Sequence, residues 1–222
     1  CENGKNLLRN VTDLTVIEKK ELNSSEYFRA YDLNKIGAKL VVKPDDLKTP
    51  FDIKKKDQST VVIRQTSQEI YYSSYGSDGK NGRDIFKISK LPNFTWGQPV
   101  NLGPNINTIY DEDFPYITPD GKTLYFCSKG HNSMGGYDVF KSELNPSGEW
   151  NKPQNLDFAV NTPDDDIQYV TDPESDFAYF SSKRNSPDGR IIVFKVKTER
   201  VPVTVAIIKG KVLSDALPVN LA

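Results

Sequence analysis

The chain has 222 residues, enough for one sizeable hydrophobic core, and its 29 basic and 30 acidic residues give a net charge of −1. This balance argues against a surface for nucleic acid or anionic lipid, and no apolar run approaches the roughly 20 residues of a membrane-spanning helix. With 11 Tyr, 11 Phe, 14 Gly and 14 Pro, the composition is typical of an all-β domain with short strands and many turns.

The N-terminal region holds the least regular predicted elements. Cys1 has two interpretations, the lipidated residue of a lipoprotein or a residue at a boundary within a longer protein. Residues 11–24 predict a strand, and residues 26–32 with 38–43 predict an abbreviated blade. The three lysines at 54–56 are interpreted as a solvated strand end rather than a binding patch.

Beyond this region the chain repeats itself every 54 residues. A fixed period of this kind indicates stacked copies of one supersecondary unit. Because each copy is made of strands, the copies are predicted to be blades of a β-propeller. The residues that recur at this spacing are Tyr72, Phe126 and Phe180; Ser74, Ser128 and Ser182; and Phe86, Phe140 and Phe194.

Each copy is predicted to hold up to four strands. In the second copy, Gly121 provides the positive φ of a tight turn between the first two strands. The predicted strands are residues 61–64, 69–74, 84–88 and 96–102 in the first copy, 113–118, 124–128, 137–141 and 149–156 in the second, and 167–171, 177–182 and 191–196 in the third.

The third copy lacks the outer, Trp-containing strand of the other two. We expect the strand at 11–24 to take its place and close the ring, which removes the exposed edges of an open sheet. This predicts a β-propeller over residues 1–200 with four blades, the first irregular; five or six blades are the alternative. Residues 201–222 are predicted to be a linker and the first strands of a β-sandwich.

Two stretches of sequence resemble known repeats. Residues 117–126, ITPDGKTLYF, resemble the PD40 (WD40-like, TolB-type) propeller repeat. Residues 111–142, together with NTPDDD at 161–166, are similar to a family of Bacteroidota envelope proteins. Members of that family join tetratricopeptide repeats, a PD40 propeller, a carboxypeptidase-regulatory-like β-sandwich and an OmpA-type peptidoglycan-binding domain, and they include a component of the type IX secretion system.

The resemblance implies a location and a class of partner. It implies a periplasmic protein associated with the outer membrane, with other envelope or secretion-system proteins as partners. Peptidoglycan binding is implied only through the OmpA-type domain, which lies outside this sequence.

The residue pattern argues against catalysis. His131 is the single histidine, and no nucleophile motif or second histidine accompanies it. We therefore expect a non-enzymatic interaction or scaffold module. A glycan-binding or glycan-cleaving propeller is the alternative, because aromatic and acidic surfaces suit sugars.

One predicted rim carries the candidate partner-binding residues. Acidic triplets at 111–113 and 164–166 precede first strands, and matching those strands pairs Asp113 with Asp166. The loop 130–136 uses three glycines on one turn, which indicates close packing against another surface. The predicted partner-binding residues are Asp111, Glu112, His131, Asn132, Met134, Asp164 and Asp165.

Other interpretations of this rim stay open at this point. Its clustered carboxylates could bind a hard cation such as Ca²⁺, or could simply be solvated. Met134 could fold inward and plug the mouth of the propeller, with His131 and Asn132 satisfying local carbonyls. No other cofactor is expected.

Overall fold

The computed structural model of the chain describes residues 14–77, 79, 82–171 and 176–198. Over these residues the protein is all-β, with antiparallel sheets and a few short helical turns. The interpretations of Cys1 and of residues 201–222 fall outside the described part.

Thirteen strands are found among the described residues, and they form four sheets. Sheet I contains β2 and β3; sheet II contains β4–β6; sheet III contains β7–β10; sheet IV contains β11–β13 and β1. The strands are β1 (Val16–Asn23), β2 (Ala38–Val42), β3 (Thr60–Arg64), β4 (Glu69–Ser74), β5 (Asp84–Ser89), β6 (Val100–Asn101), β7 (Glu112–Ile117), β8 (Thr123–Ser128), β9 (Asp138–Glu143), β10 (Gln154–Asn155), β11 (Asp166–Thr171), β12 (Phe177–Ser182) and β13 (Arg190–Lys197).

The 54-residue period corresponds to one recurring pair of stacked rings. In sheets II, III and IV, the second and third strands of the copy place two aromatic residues directly opposite each other. Such pairs stabilise a sheet beyond the area they bury. The pairs, with the distances between ring centroids, are Tyr72–Phe86 at 6.1 Å, Phe126–Phe140 at 5.9 Å and Phe180–Phe194 at 5.0 Å.

The first described strand completes the last sheet. β1 pairs antiparallel with β13, with Leu22 opposite Ile191 and Asn23 opposite Arg190. The side chain of Arg190 also donates a 2.9 Å hydrogen bond to Glu21. The prediction that the N-terminal strand pairs with the third copy is confirmed.

Sheet I departs from the prediction for the first copy. Residues 61–64 are predicted to be the first strand of the first copy, but all five residues of β3 pair with β2. The positions that match Thr60 are Phe114 and Gln168, which have φ of 54° and 56° where their strands shift register. A β-branched threonine disfavours positive φ, so β3 stays regular and forms an unbroken ladder with β2.

Short helical turns lie between several of the strands. The stretch 26–32, predicted as strand, contains a 3₁₀ turn at Tyr27–Ala30. Helix α1 (Pro50–Lys54) begins at a capping box, in which Thr49 and Asp52 exchange side-chain and backbone hydrogen bonds of 3.2 and 2.9 Å. A second short helix, α2 (Asp157–Val160), follows β10.

The first strands of the three copies are β3, β7 and β11, and β7 is in contact with both of the others. The buried hydroxyl of Thr60 in β3 donates a 2.6 Å hydrogen bond to the Gln168 side chain in β11. Towards the periphery, Trp150 packs edge-on against Tyr71 of sheet II at 6.4 Å. The hydrophobic core therefore lies between neighbouring sheets, and the first strands converge.

Candidate functional site

Two aspartates at the predicted rim link successive copies. Asp111 accepts a 3.0 Å hydrogen bond from the Arg83 amide and pairs with Lys129 at 3.0 Å. Asp165, 54 residues later, accepts a 3.0 Å hydrogen bond from the Tyr137 amide and pairs with Lys183 at 2.6 Å. Burial by itself would raise the pKa of both carboxyl groups, but these contacts lower it below the ordinary value.

Glu112 is a buried residue and cannot contact a partner. Its side chain is fully buried, and it accepts hydrogen bonds from the Thr108 amide at 2.7 Å and the Ser128 hydroxyl at 2.6 Å. Asp166 makes the same contact with the Thr162 amide at 2.6 Å. Glu112, not Asp113, therefore matches Asp166, and the prediction of a surface role for Glu112 is wrong.

The glycine-rich loop 130–136 packs against its own chain. A Cβ atom on Gly135 would lie 2.1 Å from the Pro163 carbonyl oxygen, and one on Gly136 would lie 2.2 Å from the Asp165 carboxylate. One on Gly130 would lie 2.5 Å from the Thr108 hydroxyl. The close approach predicted from the glycines exists, and within the described residues the surfaces approached are the connectors into the loop's own copy, at Thr108, and into the next copy, at Pro163 and Asp165.

The side chains of this loop are placed around that contact. His131 is exposed, and its Nε2 donates a 2.9 Å hydrogen bond to the Ile106 carbonyl. The Met134 amide donates to Asp138 at 2.6 Å, and the Met134 side chain is half-buried. Asn132 and Asp164 are exposed to solvent. The loop and connectors thus share one end of the molecule, as predicted.

A cavity of about 360 Å³ opens between the sheets at this end. We call it the inter-sheet cavity. Residues from the N-terminal region and all three copies line it, and of the seven predicted partner-binding residues only Asp165 does so. Its basic and aromatic lining residues include Lys55, Lys56, Tyr75, Arg83, Phe114, Tyr137 and Lys183.

Arg83 connects the wall of the cavity to buried carboxylates. Its Nη1 atom contacts Asp113 and lies 3.2 Å from Asp57, and its Nη2 donates a 3.0 Å hydrogen bond to the Tyr137 hydroxyl. Burial raises the pKa of Asp113, although Arg83 and the Ser73 hydroxyl favour its charged form. A guanidinium held in this way is fixed in position.

A buried lysine lies next to this network. Lys43 is 1% exposed, and its Nζ lies 2.6 Å from Asp57 and 3.1 Å from Asp52. It also donates a 2.6 Å hydrogen bond to the Ser73 carbonyl. No sequence pattern distinguished Lys43, because its acidic partners follow nine and fourteen residues later in an irregular segment.

Cations lie over two tyrosine rings that line the cavity. Lys55 Nζ lies 4.6 Å from the centroid of the Tyr75 ring, and Lys129 Nζ lies 4.5 Å from that of Tyr137. Arg83 lies 5.6 Å from the Tyr75 centroid. The sequence held a signal for these residues, since Tyr75, Lys129 and Lys183 are 54 residues apart and follow the repeated serines directly.

The lysines at 54–56 lie at the end of a helix rather than at the end of a strand. They are exposed at the end of α1, and Lys55 and Lys56 line the cavity. Among the described residues, no carboxylate lies within ion-pair distance of either one. Within the described part of the chain, these two side chains are therefore cations at the cavity without an acidic partner.

Within the described part of the chain, no three His, Cys, Asp or Glu side chains are grouped as a metal site would require, and no helix has the length and apolarity to cross a membrane. No family model matches this chain, and no curated protein matches it.

Proposed function

We propose that the chain is a four-bladed β-propeller that serves as a non-enzymatic interaction module of the cell envelope. Three sheets with the same stacked ring pair support the repeated blade, and the converging strands β3, β7 and β11 support a common axis. The β1–β13 pairing supports closure by the N-terminal strand. Sheet I is the irregular first blade.

The observation that carries the functional proposal is the chemistry of the inter-sheet cavity. Its carboxylates are held by cations or backbone amides, since Asp57 contacts Arg83 and Lys43, and Asp165 contacts Lys183. His131 does not line it. A general base needs a carboxylate or imidazole free to take a proton, so this arrangement suits binding better than catalysis.

The sequence resemblance supports the location. The string at 111–142 is similar to Bacteroidota envelope proteins, among them the type IX secretion component PorE. We propose a periplasmic, outer-membrane-associated protein whose partners are other envelope proteins.

The experiment is affinity capture from envelope extracts with the purified chain as bait, followed by direct binding to each captured protein after purification. We expect at least one envelope protein to bind the chain directly. The same bait on a glycan array tests the alternative of a sugar-binding propeller, because aromatic faces free for stacking are what a neutral sugar requires. Binding to glycans without any protein partner would overturn the proposal.

A further inference from the structure

The inter-sheet cavity combines an apolar floor with two lysines at its mouth that have no acidic partner among the described residues. Lys55 and Lys56 are exposed at the mouth, while Phe114, Ile167 and Ile191 contribute apolar surface to the lining. Ligand cavities are mostly apolar with a few polar groups that fix orientation, and about 360 Å³ is within their usual size range.

Two further lysines at this end can exchange their present partners for a ligand. The pairs Lys129–Asp111 and Lys183–Asp165 are partly exposed, with 41% and 50% of the lysine side chains open to solvent. Partly exposed pairs contribute little to stability, so a carboxylate from a ligand can share these ammonium groups at low cost. Arg83, by contrast, is held by buried Asp57 and Asp113, so it forms part of the cavity wall and keeps its present partners.

The aromatic rings favour an anion over a neutral sugar. Lys55 and Arg83 both lie over Tyr75, and Lys129 lies over Tyr137, so cations already occupy ring faces that a sugar would stack against. The cavity is also too large for a single carboxylate or phosphate. It fits a short segment that presents both a negative charge and an apolar side chain.

We propose that the inter-sheet cavity binds an acidic peptide segment, whose carboxylates pair with Lys55 and Lys56 and whose apolar side chain rests against Phe114. This inference rests on the proposed interaction function and names the chemistry of the partner. Ammonium–carboxylate contacts of this kind are stronger than neutral hydrogen bonds and weaken with added salt.

The test selects a displayed library of random heptapeptides against the protein and measures the affinity of the best peptide by fluorescence anisotropy. We expect enrichment of Asp and Glu, and binding at least about tenfold weaker for Lys55→Gln/Lys56→Gln. The matched control, Lys19→Gln/Lys20→Gln, removes the same charge from two adjacent exposed lysines of β1 and should bind as the unaltered protein does.

Several results would overturn the inference. They are a selection without acidic enrichment, a selection that yields no binder, and affinity unchanged in Lys55→Gln/Lys56→Gln. Binding of an oligouronate or inorganic phosphate that depends on these lysines, without peptide binding, would also overturn it in favour of another anion. If an envelope protein still binds directly after the double substitution, the proposed interaction function holds, but the inter-sheet cavity is not its binding site.

Discussion

Lys43 provides the sharpest test of the buried ionic network. Replacing it with methionine keeps most of the side-chain volume but removes the Nζ contacts to Asp52, Asp57 and the Ser73 carbonyl. Both carboxylates are at most 1% exposed in their side chains, so neither can recover water in the folded state.

The expected loss in the free energy of unfolding depends on which hydrogen-bond donors Asp52 and Asp57 keep in Lys43→Met. Breaking a buried ion pair by removing one partner costs about 3–5 kcal/mol. Asp52 keeps the amides of Thr49 and Tyr75, and Asp57 keeps Arg83. We therefore expect the lower end, about 3 kcal/mol, which lowers Tm by roughly 6–12 °C for a chain of this size.

The effect should also depend on pH. Burial alone would raise the pKa of Asp52, but the amides of Thr49 and Tyr75, the Ser74 hydroxyl and Lys43 hold it below the ordinary value. A carboxyl group with a lowered pKa stabilises the fold above its unfolded pKa, and this stabilisation is lost as pH falls through the folded pKa. Because Lys43→Met removes part of that lowering, its deficit should stay nearly constant from neutral pH to about pH 4 and shrink as pH falls further.

Urea denaturation followed by tryptophan fluorescence measures both effects. The control is Lys20→Met, since Lys20 pairs with Glu18 at 2.9 Å but about half of each side chain is exposed. We expect the control to change the free energy of unfolding by less than about 0.5 kcal/mol. A loss below about 1 kcal/mol for Lys43→Met, or a deficit that grows towards acid, would refute the reasoning.

Three further predictions concern the loops and the edge strand. Gly135→Ala should cost about 2 kcal/mol in urea denaturation, because its Cβ would meet the Pro163 carbonyl oxygen at 2.1 Å. Gly148→Ala, with φ of 81° and nothing within 4 Å, should cost only about 1 kcal/mol, and equal losses would contradict the clash. Phe94 is 80% exposed with φ of 66° where the second copy has Gly148, so Phe94→Gly should raise the unfolding free energy by about 0.5 kcal/mol; a loss above about 1 kcal/mol would mean that the ring packs. Deleting residues 1–23 should uncover the β13 edge and cause concentration-dependent association in size-exclusion chromatography. A monomeric deletion variant with unchanged Tm would show that β1 is dispensable.

Charge reversal at the rim has to respect the contacts found there. Asp111 holds the Arg83 amide and Lys129, so its reversal would alter stability as well as surface charge. Asp164 is exposed, which makes it the cleaner position for testing whether this end contacts a partner.

Sequence reasoning succeeded where the determinants are local or periodic. The hairpins and their boundaries follow from alternating side chains and from turn residues such as Gly121, whose φ is 70°. The ring pairs follow from the 54-residue period, because equivalent positions on equivalent hairpins face the same way. The pairing of the N-terminal strand followed from a missing strand in the third copy.

It failed where the outcome depends on contacts between segments far apart in the chain. Glu112 and Asp111 are neighbours in an acidic triplet, yet one is buried against Ser128 and the other lies at the rim with Lys129. Alternation alone does not say which of two adjacent carboxylates faces inward until the register of the strand is known.

By itself, then, the sequence determined the all-β class, the repeat and the strand pairing across the chain ends, since these depend on pattern and turn chemistry. Only the tertiary structure decided that β3 joins β2, that Lys43 is buried among carboxylates, and that Lys55 and Lys56 line a cavity. The physical reason is that burial and ionic pairing depend on which distant segments meet. The sequence alone does not distinguish a lysine that is buried in an ion pair from one that is exposed to solvent.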